Sequence, residues 1–153
     1  MEESLSIIAS LYLPVTGSNL VLPNVSIAEI VDYQSPESVA GTPEWYLGNI
    51  EWRGVTLPVI SYELLNEQSS SESAEGTRLA VINTIGSKHT ELPFFAIVTQ
   101  GIPSQTKVDK DSIKEIEGDE EKGPAELVKV NILGDKVTIP NVEFIEKMIL
   151  QSL

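Results

Sequence analysis

Short runs of alternating apolar and polar residues, separated by Gly and Pro, dominate the chain. The clearest run lies in residues 48–61, GNIEWRGVTLPVIS, where Ile50 and Trp52 alternate with Glu51 and Arg53. An alternation of period two is typical of a half-buried β-strand, because successive side chains point to opposite faces. The pattern therefore predicts a strand whose apolar face is directed to a core.

Arg53 and Gly54 then predict a turn, because Gly tolerates the positive φ angle that tight hairpin connections need. The return strand places Val55, Leu57 and Val59 on one face. Arg53 is also the first Lys or Arg of the chain. A lone cation at a hairpin tip, in an acidic half of the sequence, indicates a role beyond packing.

Further apolar runs of strand length recur along the chain, with no long helix between them. Residues 25–33 match a helix capping box at Ser26 to Glu29, but their β-branched and aromatic composition favours a strand with an irregular middle. Residues 62–66 predict a single helical turn. The other predicted strands are residues 5–13, 78–85, 94–99, 127–132 and 136–139.

The chain ends on a predicted helix. Asn141 is a suitable N-cap residue, and Val142, Ile145, Met148 and Ile149 share one helical face. Pro14 and Gly17 are expected to end the first strand. Residues 67–76 are rich in Ser and Glu and predict a mobile loop, and residues 109–126 predict an exposed, partly irregular acidic segment. Eight to ten short strands and one helix predict a mainly β protein built from barrels or a sandwich.

Charge narrows the choice of partners. The 153 residues carry 10 Lys and Arg against 23 Asp and Glu, a formal net charge of −13. Nucleic acid and anionic membrane surfaces would be repelled, whereas a basic protein partner, or simple solubility, is compatible with this charge. The first residues lack a basic region, and no apolar run approaches the ~20 residues of a membrane span. We expect a single cytoplasmic domain over residues 1–153.

Candidate chemistry is sparse. His89 is the only histidine and lies in a polar connection, there is no Cys, and no phosphate-binding glycine motif is present. Asp109, Asp111 and Glu120 lack the spacing of a calcium loop. We therefore predict no catalytic residue, cofactor or metal site. The remaining function is recognition of a protein partner. We expect Arg53 to pair with Glu29 or Glu51 and to contact that partner.

Three motifs resemble one known family. The segment GNIEWRGVTLPVISYELLN is similar to the central part of the CheW-like domain, LPNVSIAEIVDY resembles the strand that precedes it, and RLAVINTIG with FFAIVTQGI resembles a later strand pair. The resemblance implies two intertwined, SH3-like, five-stranded β-barrel subdomains that share a core and are followed by a C-terminal helix. It also implies that the protein has no catalytic activity.

The resemblance implies partners as well. CheW-like domains couple methyl-accepting chemoreceptors to a chemotaxis-type histidine kinase by binding both, through the hairpin and the groove between the subdomains. By motif position, Glu29, Gly48, Arg53 and Gly54 match residues associated with these contacts. The oligomeric state stays open.

The chain departs from the family pattern at three places. Ala28 replaces the basic residue before Glu-Ile, the acidic segment 109–126 stands where the family keeps a compact strand region, and the last strand reads VTIPNVEF. These departures resemble the ChpC type of type IV pilus chemosensory systems, which control twitching motility. Two alternatives remain at this point: a small-ligand-binding β-barrel near Trp45 or His89, and a structural subunit of a larger assembly.

Overall fold

The structure is a computed structural model in which the placement of most of the chain is described. The described residues are 7–16, 18–66, 77–84, 92–109, 111, 113–116, 123–132 and 134–152. The predicted mobile loop 67–76 and His89 lie outside the described residues, as does much of the acidic segment.

The described residues form eleven strands and two helices, which confirms the prediction of a mainly β protein. A short 3-10 turn, Asn24–Ser26, precedes β3. The elements in chain order are β1 Ile7–Val15, β2 Ser18–Pro23, β3 Ile27–Asp32, β4 Tyr46–Trp52, β5 Val55–Ile60, α1 Tyr62–Leu65, β6 Arg78–Asn83, β7 Phe94–Thr99, β8 Ser104–Asp109, β9 Lys114–Glu115, β10 Glu126–Ile132, β11 Asp135–Pro140 and α2 Val142–Ser152.

The strands form two sheets, and in the sequence the strands of one sheet lie between two groups of strands of the other. One sheet has five strands in the order β3-β6-β7-β5-β4, and the other has six in the order β8-β1-β2-β11-β10-β9. The chain starts in the six-stranded sheet, builds the whole five-stranded sheet from β3 to β7, and then returns. The predicted pair of five-stranded units is thus found, with the two-residue strand β9 as an additional member of the second sheet.

Central strands of both sheets are apolar on both faces because each face has its own core. In β6, Leu79 and Val81 pack into a cluster inside the five-stranded sheet, while Ala80 and Ile82 pack into a cluster between the sheets. Val21 of β2 likewise faces a third cluster inside the six-stranded sheet. This arrangement explains why β6 and β7 form continuous apolar runs in the sequence, a pattern that one-sided sheets lack.

The cluster between the sheets also receives the C-terminal helix. Val142, Ile145 and Ile149 are buried in it, as their helical spacing predicts. The backbone N–H of Phe144 donates to Oδ1 of Asn141 at 3.1 Å, so Asn141 is the N-cap as expected. No helix among the described residues is long and apolar enough to cross a membrane.

A β-bulge gives β3 an irregular middle. Ile27 lies opposite Ile82, but Glu29 lies opposite Val81, so Ala28 is an extra residue in the ladder. The bulge lets Ile27 and Ile30 both pack on the core between the sheets, while Val31 faces the interior of the five-stranded sheet. Glu29 lies on the same face as Val31, at the rim of that interior. The helix-like spacing of this segment is therefore a strand with one inserted residue.

The single helical turn α1 joins distant parts of the chain. The side chain of Glu63 is fully buried and accepts hydrogen bonds from the backbone N–H and the hydroxyl of Thr16, both at 2.9 Å. The Tyr62 hydroxyl donates to the carbonyl of Ala125 at 3.2 Å. Asn66 accepts from the backbone N–H of Ala125 at 2.9 Å. This turn thus connects the first hairpin to the start of β10.

Two sequence expectations are wrong. The first strand continues through Pro14 to Val15. Its ladder with β8 ends at Tyr12, so the missing N–H of Pro14 is not needed on that side. The acidic segment is not exposed throughout, because Ala125 and Glu126 at its end are buried against α1 and β11.

Gly48 is required where another segment passes close to β4. Its φ angle is 142°, and a Cβ atom placed there would lie 2.4 Å from the carbonyl oxygen of Glu37. Glu37 forms an antiparallel bridge with Asn49, donating its N–H at 2.8 Å and accepting at 2.9 Å. Only glycine allows this approach of the two backbones.

We predict that Gly48→Ala lowers the free energy of unfolding by about 2–4 kcal/mol, because the new methyl group clashes with backbone rather than with a flexible side chain. Urea denaturation measures this change. The matched control is Gly101→Ala, whose Cβ would meet only Pro14 side-chain atoms at 3.6 Å and should cost within about 0.5 kcal/mol. Equal stability of the two variants would contradict the packing role of Gly48.

Candidate partner-binding hairpin

The β4–β5 hairpin ends in a tight two-residue turn. Trp52 pairs with Val55 as the last rung, which leaves Arg53 and Gly54 as the connection. Their φ angles are 49° and 77°. Positive φ at both central residues is the signature of a type I′ turn, whose twist matches that of the flanking strands. The predicted hairpin is therefore confirmed, and its tip is a short, well-determined turn.

Glu29 accepts three hydrogen bonds on a single carboxylate oxygen. Its Oε1 accepts from the indole Nε1 of Trp52 at 2.8 Å, and from Nε and Nη2 of Arg53 at 3.2 and 3.1 Å. Glu29 belongs to β3 and Trp52 to β4, the two edge strands of the five-stranded sheet. These bonds therefore bring the two edges together and hold the hairpin tip against β3.

Trp52 is fixed from the interior as well as from the rim. Its ring contacts Phe94 of β7 edge-on, with 4.9 Å between ring centroids and 65° between planes. The guanidinium carbon of Arg53 lies over the Trp52 ring, 5.2 Å from its centroid. A cation at this distance from an indole face gains roughly 0.5–1 kcal/mol at an exposed site. Arg53 is thus held by stacking as well as by the carboxylate.

The same contacts set the protonation of Glu29. The hydrogen bond from the Trp52 indole is the main cause that holds the pKa of the Glu29 carboxyl below its ordinary value of 4.5. Desolvation opposes this shift, and the bonds and positive charge of Arg53 add to it. Donors to the charged form favour that form. Glu29 is therefore a carboxylate throughout the neutral range, which keeps the contact with Arg53 in place.

The four predicted site residues do not lie together. Glu29, Arg53 and Gly54 meet at the hairpin tip, whereas Gly48 is buried near the start of β4. Of the two ion-pair partners considered for Arg53, the structure selects Glu29. The side chain of Glu51 instead accepts from the Thr56 hydroxyl at 3.2 Å.

Sequence reasoning placed Trp52 on the apolar face of a half-buried strand and missed its indole N–H as a donor to Glu29. Two facts would have predicted this hydrogen bond. Trp52 is the last inward-facing residue of β4, and a partly buried indole N–H usually has a partner. The acceptor Glu29 could not be placed across the rim from sequence periodicity, because the position of the bulge in β3 decides which face Glu29 occupies.

A ligand site inside the barrel finds no support in the described residues. The interior of the five-stranded sheet is filled by aliphatic side chains from all its strands, and Trp45 and Tyr46 pack in the core between the sheets. No group of three or more His, Asp or Glu residues suited to a metal ion occurs in the part of the chain that the structure describes. The hairpin tip remains the candidate functional site.

A protein-family model for the CheW-like domain matches residues 10–147. The chain belongs to the CheW-like domain family. No curated protein sequence matches it. Among solved structures, this CheW-like chain is similar to the crystal structure of the scaffolding protein TtCheW from Thermoanaerobacter tengcongensis. The TM-score is 0.73 and the sequence identity 15%, over 87% of this chain and 83% of that chain. The two chains therefore share a fold, but their sequence identity is too low to transfer the roles of individual residues from one to the other.

The lowered pKa of Glu29 gives a test of this geometry in the CheW-like chain. A carboxyl whose pKa falls on folding adds stability that is present above its unfolded pKa and is lost as pH falls through its folded pKa. We predict a Glu29 titration midpoint below 4.5, measured by carboxyl NMR, and a loss of its stabilising effect only as pH falls below that value. Trp52→Phe, which keeps a ring but removes the N–H, and Arg53→Gln should each raise the midpoint. A wild-type midpoint at or above 4.5 would contradict the hydrogen-bond arrangement.

Proposed function

We propose that this protein is a non-catalytic adaptor that couples methyl-accepting chemoreceptors to a chemotaxis-type histidine kinase. Its membership of the CheW-like family supports this role. The single observation that carries the proposal is the presentation of Arg53 at the hairpin tip. That side chain is 68% exposed although both its backbone turn and its guanidinium orientation are fixed.

Fixing an exposed arginine favours binding. A partner that bonds to Arg53 does not have to order a flexible side chain, so less conformational entropy is lost on association. Nη1 of Arg53 has no hydrogen-bond partner among the described residues, and Nε and Nη2 bind the Glu29 carboxylate. The planar guanidinium can therefore keep its bonds to Glu29 and donate from its other edge to a carboxylate or carbonyl of a partner. Gly54 supports this by allowing the turn.

Glu29 has two possible roles in this proposal. It positions Arg53 by accepting two hydrogen bonds from the guanidinium, and 37% of its own side chain is exposed beside the arginine. A partner that covers Arg53 would also approach Glu29. Gly48 acts on this site through the fold, since it sets the path of β4 toward the hairpin.

We also propose that the pathway is a type IV pilus chemosensory system of the ChpC type, acting in the cytoplasm. Ala28, which stands where the family carries a basic residue, is exposed at the bulge directly before Glu29. Among the residues that the structure describes, the missing cation leaves Arg53 as the positive group at this rim. Co-purification of pilus regulators rather than flagellar proteins, and a twitching defect on gene deletion, would support this pathway.

We predict that Arg53→Ala weakens binding to the kinase regulatory domain or receptor tip by roughly 30-fold, as expected for a hot-spot arginine worth about 2 kcal/mol. Arg53→Glu should abolish capture of these partners. Both variants should stay folded, because the side chain is exposed. Affinity is measured by titration calorimetry, and partners are found by co-purification and mass spectrometry.

Arg78→Ala is the matched control. Arg78 belongs to the same sheet, is 33% exposed and pairs with Asp32 at 3.7 Å, so its loss removes the same charge away from the hairpin. Its binding should equal that of the wild type. Recovery of neither a receptor nor a chemosensory kinase with the wild-type protein would overturn the proposal.

A further inference from the structure

One edge of the six-stranded sheet is an open strand. The sheet ends at β8 on one side and at the two-residue strand β9 on the other. Glu29 holds the two edges of the five-stranded sheet toward each other, whereas β8 pairs only with β1 over its six residues. An unpaired edge presents backbone donors and acceptors that another strand can use. In the part of the chain that the structure describes, β8 is therefore the edge best placed to receive a further strand.

The pairing of β1 shows which backbone groups of β8 are available. The carbonyl of Pro14 accepts from the N–H of Gln100 at 2.8 Å, so the even-numbered residues of β1 direct their backbone groups toward the β8 side. Their partners in β8 are Ser104, Thr106 and Val108. Alternate residues of an antiparallel strand direct these groups the other way. The N–H and C=O groups of Gln105, Lys107 and Asp109 therefore point away from β1, and no backbone group of the described residues bonds to them there.

The outer face of β8 carries one charge of each sign. Val108 is buried inside the six-stranded sheet, so Lys107 and Asp109 project from the other face. Lys107 is exposed and has no ion-pair partner among the described residues. Asp109 uses Oδ1 to accept from the N–H of Asp111 at 2.9 Å. Its other carboxylate oxygen has no hydrogen-bond partner in the described chain and is available to a cation.

These two charges make β8 complementary to a second copy of itself. With a two-fold axis through Val108, Lys107 of each copy lies opposite Asp109 of the other, and each such pair can exchange two main-chain hydrogen bonds. Opposite charges at directly opposed positions stabilise an antiparallel pair. An axis through Lys107 would set two ammonium groups opposite each other. An axis through Thr106 would set Asp109 opposite Pro103, which has no N–H to donate. Charge and hydrogen bonding therefore both select the register centred on Val108.

The same features disfavour an unrelated strand at this edge. A lysine within an edge strand discourages pairing, because few strands place an acid opposite it. A second copy supplies that acid from its own Asp109. The next described acid, Asp111, would lie nearest to the uncharged Gln105 of the other copy. Each chain carries a net charge of −13, which opposes association, so we expect a weak and reversible contact.

We propose that β8 forms a two-fold dimer contact, in which it pairs antiparallel with β8 of a second copy of this chain. Such a contact uses the same surface on both copies and therefore closes at two. Arg53 lies on the other sheet, so a dimer carries two hairpins that the contact does not use, and two joined weak sites bind a clustered partner more tightly than one. The contact is independent of what the hairpin binds, so either can fail without the other.

Sedimentation equilibrium of the full chain, over roughly 10 μM to 1 mM protein, should show a monomer in reversible exchange with a dimer. Lys107→Asp sets carboxylates opposite each other and should weaken the dimer about tenfold or more, and Asp109→Lys should do the same with ammonium groups. An equimolar mixture of these two variants should form a heterodimer, because every contact then joins an Asp to a Lys.

Cysteine variants test the register, since the chain has no Cys of its own. Lys107→Cys mixed with Asp109→Cys should form an intermolecular disulfide under mild oxidation, because opposed residues of a hydrogen-bonded pair lie about 5.5 Å apart, within disulfide range. Lys107→Cys alone should not form one, because its two copies would be offset by two residues along the strands. Efficient cross-linking of Lys107→Cys to itself would overturn the proposed register.

The matched control is Lys147→Asp on α2, which makes the same change of charge at an exposed position. It should dimerise within about twofold of the wild type, and circular dichroism should show that all variants are folded. A monomer at every concentration, species larger than a dimer, or equal weakening by Lys147→Asp and Lys107→Asp would overturn the proposal. Failure of the mixed charge variants to associate would also overturn it.

Discussion

One carboxylate oxygen closes the five-stranded sheet at the hairpin end. The sheet has two edge strands, β3 and β4, and unpaired edges expose backbone groups that other chains can pair with. Glu29 reaches across from β3 to the indole of Trp52 and the guanidinium of Arg53. Because Trp52 also packs on Phe94, the hairpin tip is anchored to the barrel interior. The position of Arg53, and with it the proposed recognition of a partner, follows from this closure.

The rest of the molecule supports the closure through cores on both faces of its strands. The five-stranded sheet packs one face on its own interior and the other on the core that it shares with the six-stranded sheet and α2. Strands such as β6 and β7 therefore have no polar face, and their register is fixed from two sides, because a slip by one residue would exchange the two sets of apolar side chains. A stiff sheet lets a two-residue turn hold an exposed arginine in one place.

Much of this fold could be predicted from the sequence where the pattern is local. The β4–β5 hairpin, the β6–β7 pair and the capped C-terminal helix follow from alternation, turn residues and helical spacing. An irregular middle in β3 was predicted, but the position of the bulge at Ala28 could not be, since it depends on Ile27 packing into the core between the sheets. Pro14 within β1 and the buried end of the acidic segment also depend on which strands and turns are neighbours.

The site was predictable to the same extent. Arg53 and Gly54 could be identified from the predicted turn, and Glu29 was one of the two acidic residues expected to pair with Arg53. The choice between Glu29 and Glu51, and the donation from Trp52, depend on how the edges of the sheet curve toward each other. Gly48 was identified through the family motif, and its structural role comes from the passing segment at Glu37.

The central claim is that Glu29 acts by holding Arg53 in place for a partner. A double-mutant cycle tests it most directly: the affinities of Glu29→Gln, Arg53→Ala and the double variant for a purified chemosensory kinase regulatory domain are compared with that of the wild type. The account predicts that the loss of affinity in the double variant is clearly smaller than the sum of the two single losses. Fully additive losses would show that Glu29 does not act through Arg53, and would contradict the account.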